Sequence, residues 1–265
     1  MPISKEYDVQ ELLAFGLETI RKAGEKSLSY YGKGKSEIKF DDDLLTQAEI
    51  NLREFFEEEL TARFPGHQLF KEGQEDTEYS HEGKRYLWIF DPMDGAANFQ
   101  AGIPIWGTSV ALIENFWPIF GLFYMPVTGD IFKAVAGQQA FRGDHEIHIS
   151  DQENVNDESV LLTYSRFHQH YQTTFPGKIR NLGCTAAHIC YVAMGRADAA
   201  LLSNESYQDL AASQIILQAA GGSIRKMDGG EFHLSEYLGG QKIDGHLLVS
   251  APDTYSVIRN YLKRI

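Results

Sequence analysis

The stretch at residues 86–95 constrains the fold more than any other. An apolar run, Tyr86-Leu87-Trp88-Ile89-Phe90, has the look of a buried strand, and Asp91-Pro92-Met93-Asp94-Gly95 follows at once. Pro92 fixes its own φ and holds Asp91 extended, so the strand is predicted to stop there. Two carboxylates three residues apart at a strand end can converge on one cation. Gly95 has no Cβ and lets the backbone come close to a bound group. If residues 96–99 open a helix, their free N–H groups form an anion site beside the cation site. A divalent metal and a phosphate held together at a strand–helix junction suit phosphoester hydrolysis. Asp, Pro and Gly are equally the residues of an ordinary turn. The metal reading therefore rests on acidic residues at strand ends and helix starts elsewhere.

The 265 residues suffice for one large domain or two tightly joined halves. A formal net charge of −13 argues against nucleic acid or an anionic membrane as a general partner. An acidic chain that handles an anionic substrate needs local positive charge, which bound Mg²⁺ would supply. Two cysteines, Cys184 and Cys190, are too few for a disulfide framework. With no apolar run near membrane-spanning length and no leader pattern, the expectation is a soluble cytoplasmic protein.

Residues 8–31 read as an amphipathic helix, with Leu12, Leu13, Leu17, Ile20 and Ala23 at helical spacing. After Asp41-Asp42-Asp43, Thr46 and Glu49 form a capping-box pattern, so a second helix is predicted from Thr46 to about Phe64, before Pro65-Gly66. Residues 68–71 look like a short strand ending at Glu72, a carboxylate placed as Asp91 is. Apolar runs at 106–113, 118–125 and 131–136, broken by turn residues, predict an antiparallel meander, with further turns at 137–140 and 142–143. Beyond residue 150, short strands at 160–163, 179–182, 197–202 and 246–249 alternate with helices at 185–194 and 210–220. Residues 253–265 read as a closing helix. This is an α/β pattern, and the expectation is an α+β subdomain over residues 1–150 and an α/β subdomain over 151–265, with a cleft between them. Asp209 precedes the second of these helices as a natural N-cap. Gly183-Cys184-Thr185 lies at the start of the first and could offer N–H groups to an anion. None of the nine histidines has a zinc-type spacing.

Four of these segments carry a family resemblance. Asp91-Pro92-Met93-Asp94-Gly95-Ala96-Ala97-Asn98-Phe99 resembles the first signature of the inositol monophosphatase family, D-P-[IL]-D-G-T-x-N-F. Tyr207-Gln208-Asp209-Leu210-Ala211-Ala212, followed by Ala220-Gly221-Gly222, is similar to the second, W-D-x-A-A-G with a following A-G-G. Asp43-Leu44-Leu45-Thr46-Gln47-Ala48-Glu49 resembles D-L-V-T-x-x-D, and Lys71-Glu72-Gly73 sits where the family has G-E-E. The order and spacing match over about residues 8–262.

The resemblance implies a five-layer αβαβα sandwich and a Mg²⁺-dependent phosphomonoesterase acting on a small phosphorylated metabolite, usually as a homodimer. Carried over by position, Glu72, Asp91 and the Met93 carbonyl would hold one Mg²⁺, and Asp91, Asp94 and Asp209 a second. Oxygen ligands of this kind suit Mg²⁺. The phosphate would lie on the N–H groups of Gly95 and Ala96, and Gly183, Cys184 and Thr185 would line the substrate side. Glu72, Asp91 and Glu49 are the candidates for the chemistry itself.

Three departures qualify that picture. Ala96 replaces the threonine whose hydroxyl helps to position the attacking water, and Glu49 replaces its aspartate partner. Leu202 falls where inositol-specific members carry a glutamate that contacts sugar hydroxyls. A sugar or polyol phosphate is the first expectation, with fructose 1,6-bisphosphate, a 3′-phosphonucleotide or histidinol phosphate as alternatives. A weakly active regulatory binding protein is the reading from another class.

Overall fold

The computed structural model describes residues 7–33, 42–71, 85–150 and 154–265. Helix α1 (Val9–Leu28) opens at Asp8, whose carboxylate accepts the Gln10 N–H at 3.1 Å. Its inner face, including Leu12, Ile20 and Ala23, is fully buried. Helix α2 (Asp42–Arg63) begins a turn earlier than expected, so Thr46 and Glu49 lie inside it and form no cap.

A seven-stranded sheet follows: β1 (Gln68–Leu69), β2 (Tyr86–Asp94), β3 (Gly107–Glu114), β4 (Trp117–Met125), β5 (Asp130–Val135), β6 (Ala140–Arg142) and β7 (His145–Ile147), in that spatial order. β1 runs parallel to β2, and the rest form the expected antiparallel meander. Parts of the stretches read as turns at 137–143 are the short strand β6, because Ala140 is fully buried and pairs with both Ala134 and Ile147. Helix α3 (Ala96–Ala101) sits between β2 and β3.

The second sheet holds β8 (Val160–Thr163), β10 (Lys178–Arg180), β11 (Ala199–Ser203), β12 (Ser223–Lys226) and β13 (His246–Ser250) in the order β10-β8-β11-β13-β12. Its first three strands are parallel and the last two antiparallel to their neighbours. Helix α4 (Thr185–Ala193) precedes β11, and α5 (Tyr207–Ala219) follows it. The expected closing helix is short, α6 (Tyr255–Asn260). The chain then turns into β14 (Leu262–Arg264), which pairs with β9 (Tyr171–Thr173). Leu262 buries itself against Tyr171 and Phe175 there, a tertiary contact that overrides the helical pattern.

Three cores give the five layers expected from the sequence. α1 and α2 cover one face of the seven-stranded sheet through Leu12, Ile20, Leu52 and Phe56, with Phe64 just beyond α2, in one core with Trp88, Phe90 and Phe120. α4 and α5 fill the space between the two sheets, and α6 packs on the far side of the second. The strand period of two decides which way β2 faces. Tyr86, Trp88 and Phe90 point to α1 and α2, whereas Leu87 and Ile89 point to the middle helices. Asp91 continues the second series. No helix among the described residues is long and apolar enough to cross a membrane.

Candidate active site

Strand β2 does not stop at Asp91; it runs on to Asp94 with a shift of register between the two. Asp91 pairs with Ser109 and Asp94 with Gly107. In a regular strand, residues three apart face opposite sides. The irregularity removes that alternation, and Met93 joins the core under α1 and α2 although regular pleating would put it on the side of Asp91. Pro92, which lacks an N–H, occupies the irregular stretch, where no ladder bond is needed. Asp91 is 6 % exposed and accepts the Met93 N–H at 3.0 Å.

Gly95 is the N-cap of α3 at φ 89°. A Cβ there would lie 3.0 Å from the Trp106 Cβ and 3.1 Å from the Cys184 Cβ, so both backbone conformation and packing demand glycine. The buried Asn98 in α3 donates to the carbonyls of Ile105 and Leu182, each at 2.6 Å, and ties this turn to the segment before α4.

The start of α4 does bind an anion, and the anion is Asp94. Its carboxylate accepts the N–H of Thr185 at 3.0 Å and that of Ala186. The Gly183 N–H is held by Asn181 Oδ1 at 2.8 Å. Cys184, the N-cap residue, is 2 % exposed, and burial with the nearby Asp94 pushes its thiol pKa well up. Asp209 is not the N-cap of α5. Ser206 is, and Asp209 stands three residues on, accepting the Ser206 N–H at 2.7 Å in a reciprocal capping box.

Asp91, Asp94 and Asp209 thus come from one strand end and one helix start, and the charge of Asp209 bears on both of the others. Burial first, then Asp209 and Asp94, raise the Asp91 pKa well above the carboxylate range. Burial and Asp209 lift Asp94 to about 6, against the pull of the α4 N–H groups. Glu49 is half-buried in α2; burial raises its pKa and Arg53 lowers it. Arg53 acts on Asp91 as well, so it links Glu49 to the cluster. Glu72 lies outside the described residues. Among the described residues, no three His, Cys, Asp or Glu side chains are gathered tightly enough to enclose an ion. The donor chemistry nevertheless fits Mg²⁺: oxygen ligands that repel one another gain from a hard cation between them.

Two residues of this region escaped the sequence reading. Arg53 lies one turn after Glu49, the i, i+4 spacing of a helical ion pair. Glu205 follows the end of β11, the same signal that singled out Glu72, and is 9 % exposed. Burial, Asp209 and Asp94 push its pKa up to about 8.

Five αβαβα layers in this order define the inositol monophosphatase and sugar phosphatase fold. The inositol monophosphatase family matches residues 8–248, and the chain belongs to it; its members are phosphoric monoester hydrolases. Among curated relatives, a histidinol-phosphatase of Chlorobaculum parvum is 31 % identical, over 90 % of this chain and 91 % of its own. The Nus factor SuhB of Pasteurella multocida is 25 % identical, over 95 % and 96 %. Inositol monophosphatase II of Staphylococcus aureus shares the fold with a TM-score of 0.77 over 96 % of each chain, at 20 % identity.

Proposed function

We propose that this protein is a Mg²⁺-dependent phosphatase of a small phosphomonoester. One observation carries the reading: at the point where β2 gives way to α3, Asp209 lies close enough to raise the pKa of both Asp91 and Asp94, and Asp94 raises that of Asp91. Glu72, Asp91, the Met93 carbonyl, Asp94 and Asp209 are the residues that would hold the ions. When bound, such ions make water acidic and stabilise the leaving oxygen.

The chain's own groups do the rest. Gly95 and Ala96 present N–H groups at the start of α3 to the phosphate. The α4 N–H groups hold Asp94 in place, and the capping box holds Asp209. Glu49, made more basic by its burial, takes the proton of the attacking water in place of the family's threonine–aspartate pair. Two buried, unbridged thiols fit a cytoplasmic setting, and homodimerisation follows from the family resemblance.

The test is phosphate release from a panel of phosphomonoesters, with and without Mg²⁺, using Asp91→Asn as the control for contaminants. Release that needs Mg²⁺ and is lost in the variant is the expected result. A second reading, a binding role, is favoured by Ala96 and Glu49 and by the likeness to a Nus factor. It predicts that Mg²⁺ raises the melting temperature while no ester is turned over.

A further inference from the structure

Between β10 and α4 the chain crosses residues 181–184, and side chains rather than secondary structure hold its backbone there. The Leu182 N–H donates to His188 Nε2 at 2.9 Å, the Leu182 carbonyl accepts from Asn98 Nδ2 at 2.6 Å, and the Gly183 N–H donates to Asn181 Oδ1 at 2.8 Å. Three consecutive main-chain groups are thus fixed by three different side chains. Asn181 is anchored in turn, donating to Ser165 Oγ at 2.9 Å. Gly183 has φ 74°, and a Cβ there would lie 2.7 Å from Asn98 Oδ1, so α3 packs directly on the crossing.

His188 is the member of this clamp that no role described so far explains. It is the fourth residue of α4 and is 4 % exposed. Helical side chains lean towards the N-terminus of their helix, and this one reaches back past the N-cap, Cys184, to Leu182. A backbone N–H only donates, so Nε2 is unprotonated and the neutral ring carries its proton on Nδ1. Burial supports that state by lowering the His188 pKa to about 4. The crossing also stands against the turn that leads into α3. A Cβ on Gly95 would lie 3.1 Å from the Cys184 Cβ, and Asn98 belongs to α3 itself.

We propose that His188 is a positioning residue for the alcohol half of the substrate. By accepting the Leu182 N–H it fixes residues 183–185 against the turn that holds the phosphate, and so sets the room left for the group that the phosphate esterifies. This rests on the phosphatase reading above and deepens it. The phosphate has its own supports in the N–H groups of α3 and the ions. Asp94 keeps the N–H groups of Thr185 and Ala186, because these belong to α4 itself. Loss of the His188 bond therefore frees the crossing without undoing the phosphate end. His188 touches neither the ester nor the attacking water, and it moves no proton.

The full-length chain in Mg²⁺ is compared with His188→Leu, which keeps the bulk and loses the acceptor, and with His188→Gln, which places its Oε1 near the position of Nε2. Calorimetry reads the affinity for inorganic phosphate and for the methylene phosphonate analogue of glycerol 1-phosphate, which cannot be hydrolysed. Steady-state kinetics on glycerol 1-phosphate read kcat and KM. In His188→Leu the Kd of the analogue and the KM are expected to rise about tenfold, the usual effect of leaving an N–H without its acceptor, while phosphate affinity and kcat change by less than about twofold. His188→Gln is expected to recover most of the loss. Unchanged affinity for the analogue in His188→Leu, equal losses for analogue and phosphate, or no recovery in His188→Gln overturns the proposal. If His188→Leu does not fold, hydrogen exchange in the wild type decides: the analogue should slow exchange of the Leu182 amide beyond what phosphate does, and equal protection by the two overturns the proposal. Analogue binding that follows the expected pattern, with no ester hydrolysed, supports this inference and sinks the phosphatase reading alone. Hydrolysis with an analogue affinity indifferent to His188→Leu does the reverse.

Discussion

Arg53 of α2 donates a hydrogen bond to Gln208 of α5 at 3.1 Å, joining the outer helical layer to the middle one past the end of β2. Gln208 occupies the position of a tryptophan in the family signature, so a polar bridge stands where the resemblance implies an apolar contact.

Arg53→Met removes the cation that holds both Glu49 and Asp91 down. Both carboxyls then protonate at higher pH. The acid limb of the kcat/KM profile is expected to move to higher pH, read from a pH series at saturating Mg²⁺. A limb that stays put would mean that neither carboxyl controls the rate.

The metal-free protein is expected to lose stability as pH rises from about 5 to about 8. Asp91, Asp94 and Glu205 all have folded-state pKa values raised above those of the unfolded chain. Such acids bind protons more tightly when folded. They therefore favour the fold at low pH, and that contribution falls away between the ordinary carboxylate range and the folded values of about 6 for Asp94 and about 8 for Glu205. Melting curves in chelator should show the decline, Mg²⁺ should offset it most at the alkaline end, and Glu205→Gln should flatten it there.

Glu49→Gln is expected to lower kcat by ~10²–10⁴, the usual contribution of a positioned base, without loss of thermal stability, because a carboxylate disfavoured by burial is exchanged for a neutral amide. Ala96→Thr, which restores the family hydroxyl, should raise kcat in the wild-type background. Steady-state kinetics on one ester decide both, and undiminished turnover in Glu49→Gln removes Glu49 from the chemistry.

Asn98→Ala strips the partner from two carbonyls, those of Ile105 and Leu182. Urea unfolding should show a loss on the order of 3 kcal/mol, from two carbonyls left unpaired. KM should rise with it, since the start of α4 is then no longer tied to the turn after Asp94. A stability change below about 0.5 kcal/mol would mean that water replaces the amide at no cost.

Much of this was legible in the sequence where local rules and tertiary demands agree. The run at residues 86–90 is buried on both faces, and Gly95 needs the positive φ that a turn after Asp-Pro-Met-Asp suggests. Helix starts were the weak point. Thr46 and Asp209 are both good capping residues, but α2 already begins at Asp42, and Ser206 caps α5 three residues before Asp209. Residues 262–264 look helical in isolation and become strand only because β9 waits for them. Glu205 has no local signature beyond its place after a strand; its burial depends on Thr185, twenty residues away, and on the corner at Asn204.

The middle helical layer dictates an order of events during synthesis. Ile89, Ala111, Phe123 and Phe132 form one side of the first sheet, and what covers them is α4 and α5. Those helices come from residues 185–219, long after β5 has left the ribosome. Until then the nascent sheet shows water a broad apolar surface, the kind that clings to other chains. A chaperone that holds this surface shielded until α5 has emerged should therefore raise the yield of native protein more than one that acts on the finished chain.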